Sequence, residues 1–304
     1  MSKQINFAVV LILVVILGVG TLIGITAGTF LFDLAYSEAS GSETTENSTD
    51  SGADSDSASS DQTTSATAKP EDETPKKKIA ITFDDGPSST YTNEILDLLE
   101  QYDAKATFFV CGARLTEGTK STLQRMIALG CEIGNHTVSH RYLTDISKAD
   151  ILKEIRDTNE KIARYSGTNY KCIYYRPPGG FINRSVMDTL YQNGIYMYSI
   201  FWSSDSLDWQ YQSRYNKGEI TRDAAIQGAF KTITDETKEG TVILMHDIKE
   251  ITPDILKLVL EKYTAEGYEF VTVSELFGLK ENASDKDAYF NRYRSTDSIL
   301  PVTK

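Results

Sequence analysis

Ile79-Ala80-Ile81-Thr82-Phe83-Asp84-Asp85-Gly86-Pro87 reads as a short apolar strand that stops at two adjacent carboxylates and a turn. Directly after it, Tyr91, Ile95, Leu98, Leu99 and Tyr102 recur at the spacing of one helix face. This strand–turn–helix unit is repeated along the chain. Strands are expected at Ala106 to Val110, Glu132 to Gly134, Cys172 to Tyr175, Ile195 to Phe201, Thr241 to Met245 and Tyr268 to Thr272. Helices are expected at Lys120 to Leu129, from Ser147 to Gly167, at Ser185 to Gln192, at Thr221 to Thr234, and from Thr252-Pro253 to Gly267. Ser147 with Asp150 resembles a capping box, and Pro253 suits the first turn of a helix. Such βα alternation predicts a parallel sheet with helices outside, most simply a (β/α) barrel.

The polar residues are placed unevenly on this frame. Asp84, Asp85, His136, Arg176, Asp205 and His246 each follow the C-terminal end of an expected strand. In a barrel those ends converge on one face, where active sites are built. The whole chain has three histidines, and all of them fall here: His136, His140 and His246.

Two histidines and a carboxylate make a three-ligand metal set, which leaves positions open for water and substrate. His136 and His140 stand four apart, so one helical turn would point both at one ion. Asp84 and Asp85 can divide labour, one binding metal and the other taking a proton. The plainer readings are turn-forming aspartates and surface histidines. Co-location at strand ends favours the metal site. Arg176 is a plausible partner for the basic carboxylate and Asp205 for His246.

Five segments in order, Thr82-Phe83-Asp84-Asp85-Gly86, His136-x-x-x-His140, Arg176-Pro177-Pro178-Gly179-Gly180, Asp205-x-x-Asp208-Trp209 and Leu244-x-His246, resemble the motifs of the polysaccharide deacetylase family. This is the NodB-homology, carbohydrate esterase 4 group. The resemblance implies a distorted (β/α) barrel, a divalent metal (zinc foremost, cobalt as an alternative) and hydrolysis of N-acetyl groups on amino sugars. It implies Asp84 as general base, His246 as general acid, and Asp85, His136 and His140 as metal ligands. Arg176 would hold Asp84, and Asp205 would tune His246. Trp209 and Leu244 would enclose the acetyl methyl, and the Gly179 amide would help hold the oxyanion. Gly179 stands where many members carry an aromatic residue, so the resemblance does not carry a sugar platform over to that position. The run Trp202 to Trp209 looks like that of peptidoglycan N-acetylglucosamine deacetylases. Deacetylation of chitooligosaccharide or an exopolysaccharide is the alternative substrate reading.

Other classes fit less well. Non-haem iron oxygenases use two histidines and a carboxylate, but usually in antiparallel β folds. An inactive wall-binding module would have lost Asp84, His246 or the ligands, and all are present. No G-x-S-x-G elbow supports a serine nucleophile.

Phe7 to Phe32 has no charged residue, and its 26 residues exceed the ~20 that span a bilayer as a helix. An uncleaved anchor is expected over 7–32, with cleavage near Ala35-Tyr36-Ser37 as the alternative. Lys3 precedes the span and no basic residue follows until Lys69, so residues 1–6 are expected inside and the remainder outside. Residues 33–75 hold most of the net charge of -12: ten acids between Glu38 and Pro75 face only Lys69. That stretch reads as a disordered acidic linker. The catalytic domain is expected over 76–280, followed by a polar tail at 281–304 that carries Tyr289, Phe290 and Tyr293. No basic patch suggests nucleic acid. The resemblance implies a cell-wall polysaccharide as partner and the apolar span implies the membrane, with the protein expected to be a monomer. Cys111, Cys131 and Cys172 read as buried thiols, with a Cys131–Cys172 disulfide as the alternative.

Overall fold

The computed structural model describes residues 76–302. The expected anchor at 7–32 and linker at 33–75 lie outside the described residues, as do residues 303–304. No helix among the described residues is long and apolar enough to cross a membrane.

The elements follow the expected alternation. Strand β1 is Lys77–Asp84, followed by helix α1 at Tyr91–Gln101 and strand β2 at Ala106–Val110. Helix α2 is Lys120–Ala128, β3 is Glu132–Asn135, and α3 is Lys148–Ser166. Then come β4 at Tyr174–Tyr175, α4 at Arg184–Gln192, β5 at Tyr198–Ile200 and β6 at Ser204–Asp205. Helices α5 at Asp208–Asn216 and α6 at Arg222–Glu236 precede β7 at Val242–His246. Helix α7 at Thr252–Ala265, β8 at Tyr268–Phe270, α8 at Val273–Phe277, and the strands β9 at Asn291–Ser295 and β10 at Ser298–Pro301 complete the order.

The caps are of the expected kind. The Ser147 hydroxyl accepts from the Asp150 amide and opens α3, which ends at Gly167 with φ 76°. The Asn183 and Thr221 side chains cap α4 and α6 in the same way.

The sheet order is β10-β9-β5-β4-β3-β2-β1-β7-β6, with β8 also paired to β1. Every pairing is parallel except β9 with β10. This is the distorted barrel expected. Its distortion has a structural cause. Strands β5 and β6 are joined by Phe201 to Ser203 and do not pair with each other. Strand β9 pairs with β5, and a single antiparallel bridge joins Ser295 to Thr241 beside β7. The C-terminal hairpin thus fills the opening in the curled sheet. The tail at 281–304 is docked through residue 302: Tyr289, Phe290, Tyr293 and Val302 are all buried.

Central strand β1 is buried from Ile79 to Asp84. Ile79, Ile81 and Phe83 pack under the helices with Ile95, Leu99, Phe108, Ile243 and Leu256 in the main core. Ala80 instead packs with Phe109, Tyr198, Val242 and Tyr293. The opposite faces of one strand therefore feed two cores, as period-two side-chain alternation requires. The three cysteines are buried free thiols, so the disulfide alternative is not realised.

Candidate active site

Register places the chemistry. On β1, Asp84 is level with Phe109 of β2 and with His246 of β7. His136 and Arg176 immediately follow β3 and β4. Asp84, His136 and Arg176 are each 4% exposed or less, so these polar groups must satisfy one another.

Arg176 is fully buried and engages four of its five guanidinium N–H groups. Nη1 donates to Asp84 Oδ1 at 2.7 Å and to Thr82 Oγ1 at 2.9 Å. Nε donates to the Ile200 carbonyl and Nη2 to the Phe201 carbonyl. Its Cζ lies over the Phe109 ring, 4.1 Å from the centroid. A buried guanidinium so fixed is a positioning group for Asp84, unlike a solvent-exposed ion pair. Asp84 Oδ2 is left facing inward, 3.6 Å from His136 Nε2.

The three candidate ligands come together. Ligand atoms of Asp85, His136 and His140 all lie within 4.8 Å of one another. Asp85 Oδ1 is 3.6 Å from His136 Nε2 and 3.2 Å from His140 Nε2. It is buried and accepts no hydrogen bond. A buried anionic oxygen between two ring nitrogens, with no donor of its own, fits a cation. His136 Nδ1 lies 2.8 Å from the Arg176 carbonyl, which can only accept. The proton therefore sits on Nδ1, and the Nε2 lone pair faces Asp85, the usual second-partner arrangement of a metal-binding imidazole. Burial pushes the His136 imidazole below its ordinary pKa despite Asp84 and Asp85, which favours this neutral form.

The two histidines do not converge by a helical turn. Residues 136–140 form a loop in which Thr137 and His140 take φ of 65° and 59°. Left-handed backbone at a β-branched threonine is costly, and such strain concentrates at functional sites. The loop is held from outside. Glu154 on α3 accepts from the Val138 amide at 2.7 Å, the Ser139 amide at 2.9 Å and the Ser139 hydroxyl at 2.6 Å. The Asn135 side chain accepts from the Thr137 amide. Asp85 is also left-handed, with φ 75°. Beside it Gly86 has no room for a side chain, because a Cβ would lie 2.0 Å from Asp247 Oδ2. Asp247 is buried against this turn and accepts from Thr92 Oγ1 at 2.6 Å. Burial pushes its carboxyl up to about 7.

The partner of His246 is Asp208, not Asp205. Asp208 Oδ1 lies 2.6 Å from His246 Nδ1, and Oδ2 accepts from the His246 amide and from Thr252 Oγ1, both at 2.7 Å. Asp205 Oδ1 instead accepts from the Leu207 amide at 2.9 Å. The reason is local backbone. Asp205 ends β6 level with Leu244, two residues short of His246. The left-handed Leu207 then turns the chain, and α5 begins by placing Asp208 under the imidazole. Burial would lower the His246 pKa, but the Asp208 carboxylate overrides it and holds the ring up to about 9. Burial opposes ionisation of Asp208, yet the His246 contacts hold its carboxyl below the usual range. With Nδ1 engaged, His246 presents Nε2 as the proton-donating atom. Asp208 was legible in the fourth motif; sequence separation could not say which of its two aspartates reaches the ring.

The three residues expected to meet substrate lie on the segments that carry this centre. Leu244 is buried on β7, Trp209 lies in the first turn of α5 and is half exposed, and Gly179 takes φ 64° in the Pro178–Gly180 turn after Arg176. The amides of Gly180 and Phe181 turn back onto the carbonyls of Pro177 and Pro178.

A family model described as polysaccharide deacetylase matches residues 71–198. The chain is 37% identical over 211 residues to the peptidoglycan-N-acetylmuramic acid deacetylase PdaC of Bacillus subtilis. That match covers 69% of this chain and 41% of the relative, so the chain spans less than half of that protein. It is 35% identical over 208 residues to a peptidoglycan-N-acetylglucosamine deacetylase of Bacillus cereus, covering 67% of this chain and 90% of the relative. Among solved structures, a family 4 acetyl xylan esterase of Clostridium thermocellum in complex with a cobalt ion superposes with a TM-score of 0.61. It is 31% identical, with 73% of this chain and all of that one covered. With the fold, the motif order and these likenesses in agreement, the chain belongs to the polysaccharide deacetylase family.

Proposed function

We propose that this protein hydrolyses the N-acetyl group of N-acetylglucosamine residues in peptidoglycan, releasing acetate and a free amine. The observation that carries the chemistry is the pairing of two opposed proton carriers with one ligand cluster. Asp84 is held by Arg176, His246 is held by Asp208, and Asp85, His136 and His140 lie within reach of both.

Asp85, His136 and His140 would hold a divalent cation, with zinc the best match to two imidazoles and one carboxylate and cobalt a workable substitute. When bound, such an ion supplies Lewis acidity that polarises an amide carbonyl and acidifies water. Asp84 Oδ2 takes the proton of the water that attacks the acetyl carbon, while Arg176 keeps Oδ1 occupied. The Gly179 amide donates to the oxygen on which negative charge develops. His246 Nε2 gives its proton to the departing nitrogen as the C–N bond breaks. Leu244 and Trp209 receive the acetyl methyl.

The substrate reading draws on the relatives, which are described as peptidoglycan deacetylases. It also draws on the expected anchor at 7–32 and acidic linker at 33–75, which would hold the domain on the outer side of a membrane, beside the wall. The decisive assay offers the protein peptidoglycan, N-acetylglucosamine oligomers and acetylated xylan and measures acetate. Muramidase digestion with mass spectrometry then locates the free amine. Amine on glucosamine supports the proposal. Amine confined to muramic acid would favour the chemistry described for the Bacillus subtilis relative. Acetate from xylan alone would overturn the peptidoglycan reading.

A further inference from the structure

Five large apolar side chains among the described residues are strongly exposed: Tyr142, Phe181, Tyr196, Trp209 and Ile299. Of these, Tyr142 and Phe181 pack on each other, with ring centroids 4.9 Å apart and planes inclined by 53°. They come from different loops, one following His140 and one following Gly180. Each remains about half exposed, at 44% and 52%. The two rings thus form one exposed aromatic surface contributed by both loops.

Their position is beside the ligand cluster. A cavity of about 360 Å³ is lined by His140, Arg141, Tyr142, Asp145 and Ile146. That volume lies within the range of small-ligand sites, ~300–1,000 Å³. His140 belongs both to this cavity and to the ligand cluster. Gly179, whose amide the mechanism uses, lies beneath the aromatic pair. A Cβ at 179 would lie 2.9 Å from the Phe181 ring and 3.1 Å from the Tyr142 ring. The glycine is thus required by the pair as well as by its φ of 64°. The loop is anchored: Leu143, next to Tyr142, is fully buried, and the Asp145 amide donates to the Tyr142 carbonyl at 3.1 Å. A surface fixed before the ligand arrives loses little entropy on binding.

We propose that Tyr142 and Phe181 form the platform on which the protein stacks the sugar ring adjoining the residue to be deacetylated. The inference rests on the deacetylase reading of the site. A pyranose ring has an apolar face of C–H bonds and a rim of hydroxyls. The negative π face of an aromatic ring attracts those C–H groups. Arg141 and Asp145, from the same cavity wall, are the polar groups available to the rim. Because His140 joins this wall to the ligand cluster, a chain entering that cluster lies across the pair. The occupant is therefore the saccharide that carries the acetyl group, and the platform makes the enzyme selective for chains over single sugars.

The test uses the full chain purified in detergent and an N-acetylglucosamine pentasaccharide as probe. Affinity is measured by calorimetry on the Asp84→Asn protein, in which turnover of the probe is slowed by ~100-fold or more. Adding Tyr142→Ala and Phe181→Ala together should weaken the pentasaccharide Kd about tenfold, with an unchanged melting temperature. Phe181→Trp should retain the affinity. In the active protein, the double alanine change should raise KM for the pentasaccharide far more than it lowers kcat, and preference for pentasaccharide over disaccharide should disappear. Unaltered affinity and unaltered chain-length preference in the double variant would overturn the platform. If the parent releases acetate while this holds, only the platform fails. If the parent binds the pentasaccharide through these rings yet releases no acetate from any substrate, only the deacetylase reading fails.

Discussion

At the scale of single residues, the proposed mechanism divides proton transfer between two held groups, Asp84 on Arg176 and His246 on Asp208, and the holders would decide the pH range. His246 must be protonated to act as general acid. Its pKa, raised from 6.5 to about 9, keeps it so through neutrality. Activity should therefore fall on the alkaline side as this proton is lost. Asp208→Asn removes the carboxylate that opposes the burial penalty, so the alkaline limb of the kcat/KM profile should move to lower pH. Asp205→Asn should move it less, because that carboxylate engages the Leu207 amide. Equal shifts in the two variants would reverse the assignment. Asp84→Asn, which removes the base while leaving Asp85, His136 and His140, should lower turnover by ~100-fold or more. Metal content measured by atomic absorption should be retained; its loss would mean that Asp84 and Asp85 exchange roles. The residues proposed for these roles were readable from the motifs. The choice between Asp205 and Asp208 was not, because it turns on one left-handed residue, Leu207, that no periodicity announces.

At the scale of elements, the long-range design is α3 supporting a strained loop. Glu154 accepts three hydrogen bonds from Val138 and Ser139, between the two ligand histidines. Glu154→Ala leaves two backbone amides without their partner and frees a loop that must hold Thr137 and His140 at positive φ. Affinity for zinc should fall about 10–100-fold, the usual effect of losing such outer support. Competition with a chromophoric chelator would measure it, and chelator treatment of the parent should abolish activity that added zinc or cobalt restores. Unaltered zinc affinity in Glu154→Ala would show that the loop holds itself. Helix α3 was plain in the sequence because Ile151, Ile155 and Ile162 mark one face and Ser147 caps it. Helix α5 was not: only Asp208 and Gln212 are buried in it, so it has no apolar stripe to read. The short β6 pairs through two residues only, too few for any alternation to show.

At the scale of the whole molecule, the C-terminal hairpin was the least legible part. Residues 291–301 are largely polar, and their strand character comes from pairing with β5, which no local pattern encodes. Tyr293 meets Tyr198 and Phe277, and Tyr289 meets Tyr198, so the hairpin is a wall of the second core. Ending the chain at residue 280 would uncover these rings and leave the sheet open. Each large buried aromatic contributes roughly 1.5–3 kcal/mol, so the truncated protein should melt well below the parent; an unchanged melting temperature would make the hairpin an accessory.

The arrangement of the remaining chain makes the last prediction. A catalytic surface that stacks a sugar chain is useful only where a polymer is within reach. The sequence before residue 76 is expected to confine it there, through an apolar span at 7–32 and a linker whose acids repel one another. Lys3 lies before the span and no basic residue follows it until Lys69, which favours an exterior domain. Protease added to intact cells should then cut between Ser37 and Pro75 and release a soluble fragment that still deacetylates N-acetylglucosamine oligomers. Wall material from cells lacking the protein should carry less free glucosamine and dissolve faster in lysozyme. Protection of the domain until the cells are lysed would reverse the orientation. Release without any change in wall glucosamine would move the substrate to an exopolysaccharide or to chitin oligomers.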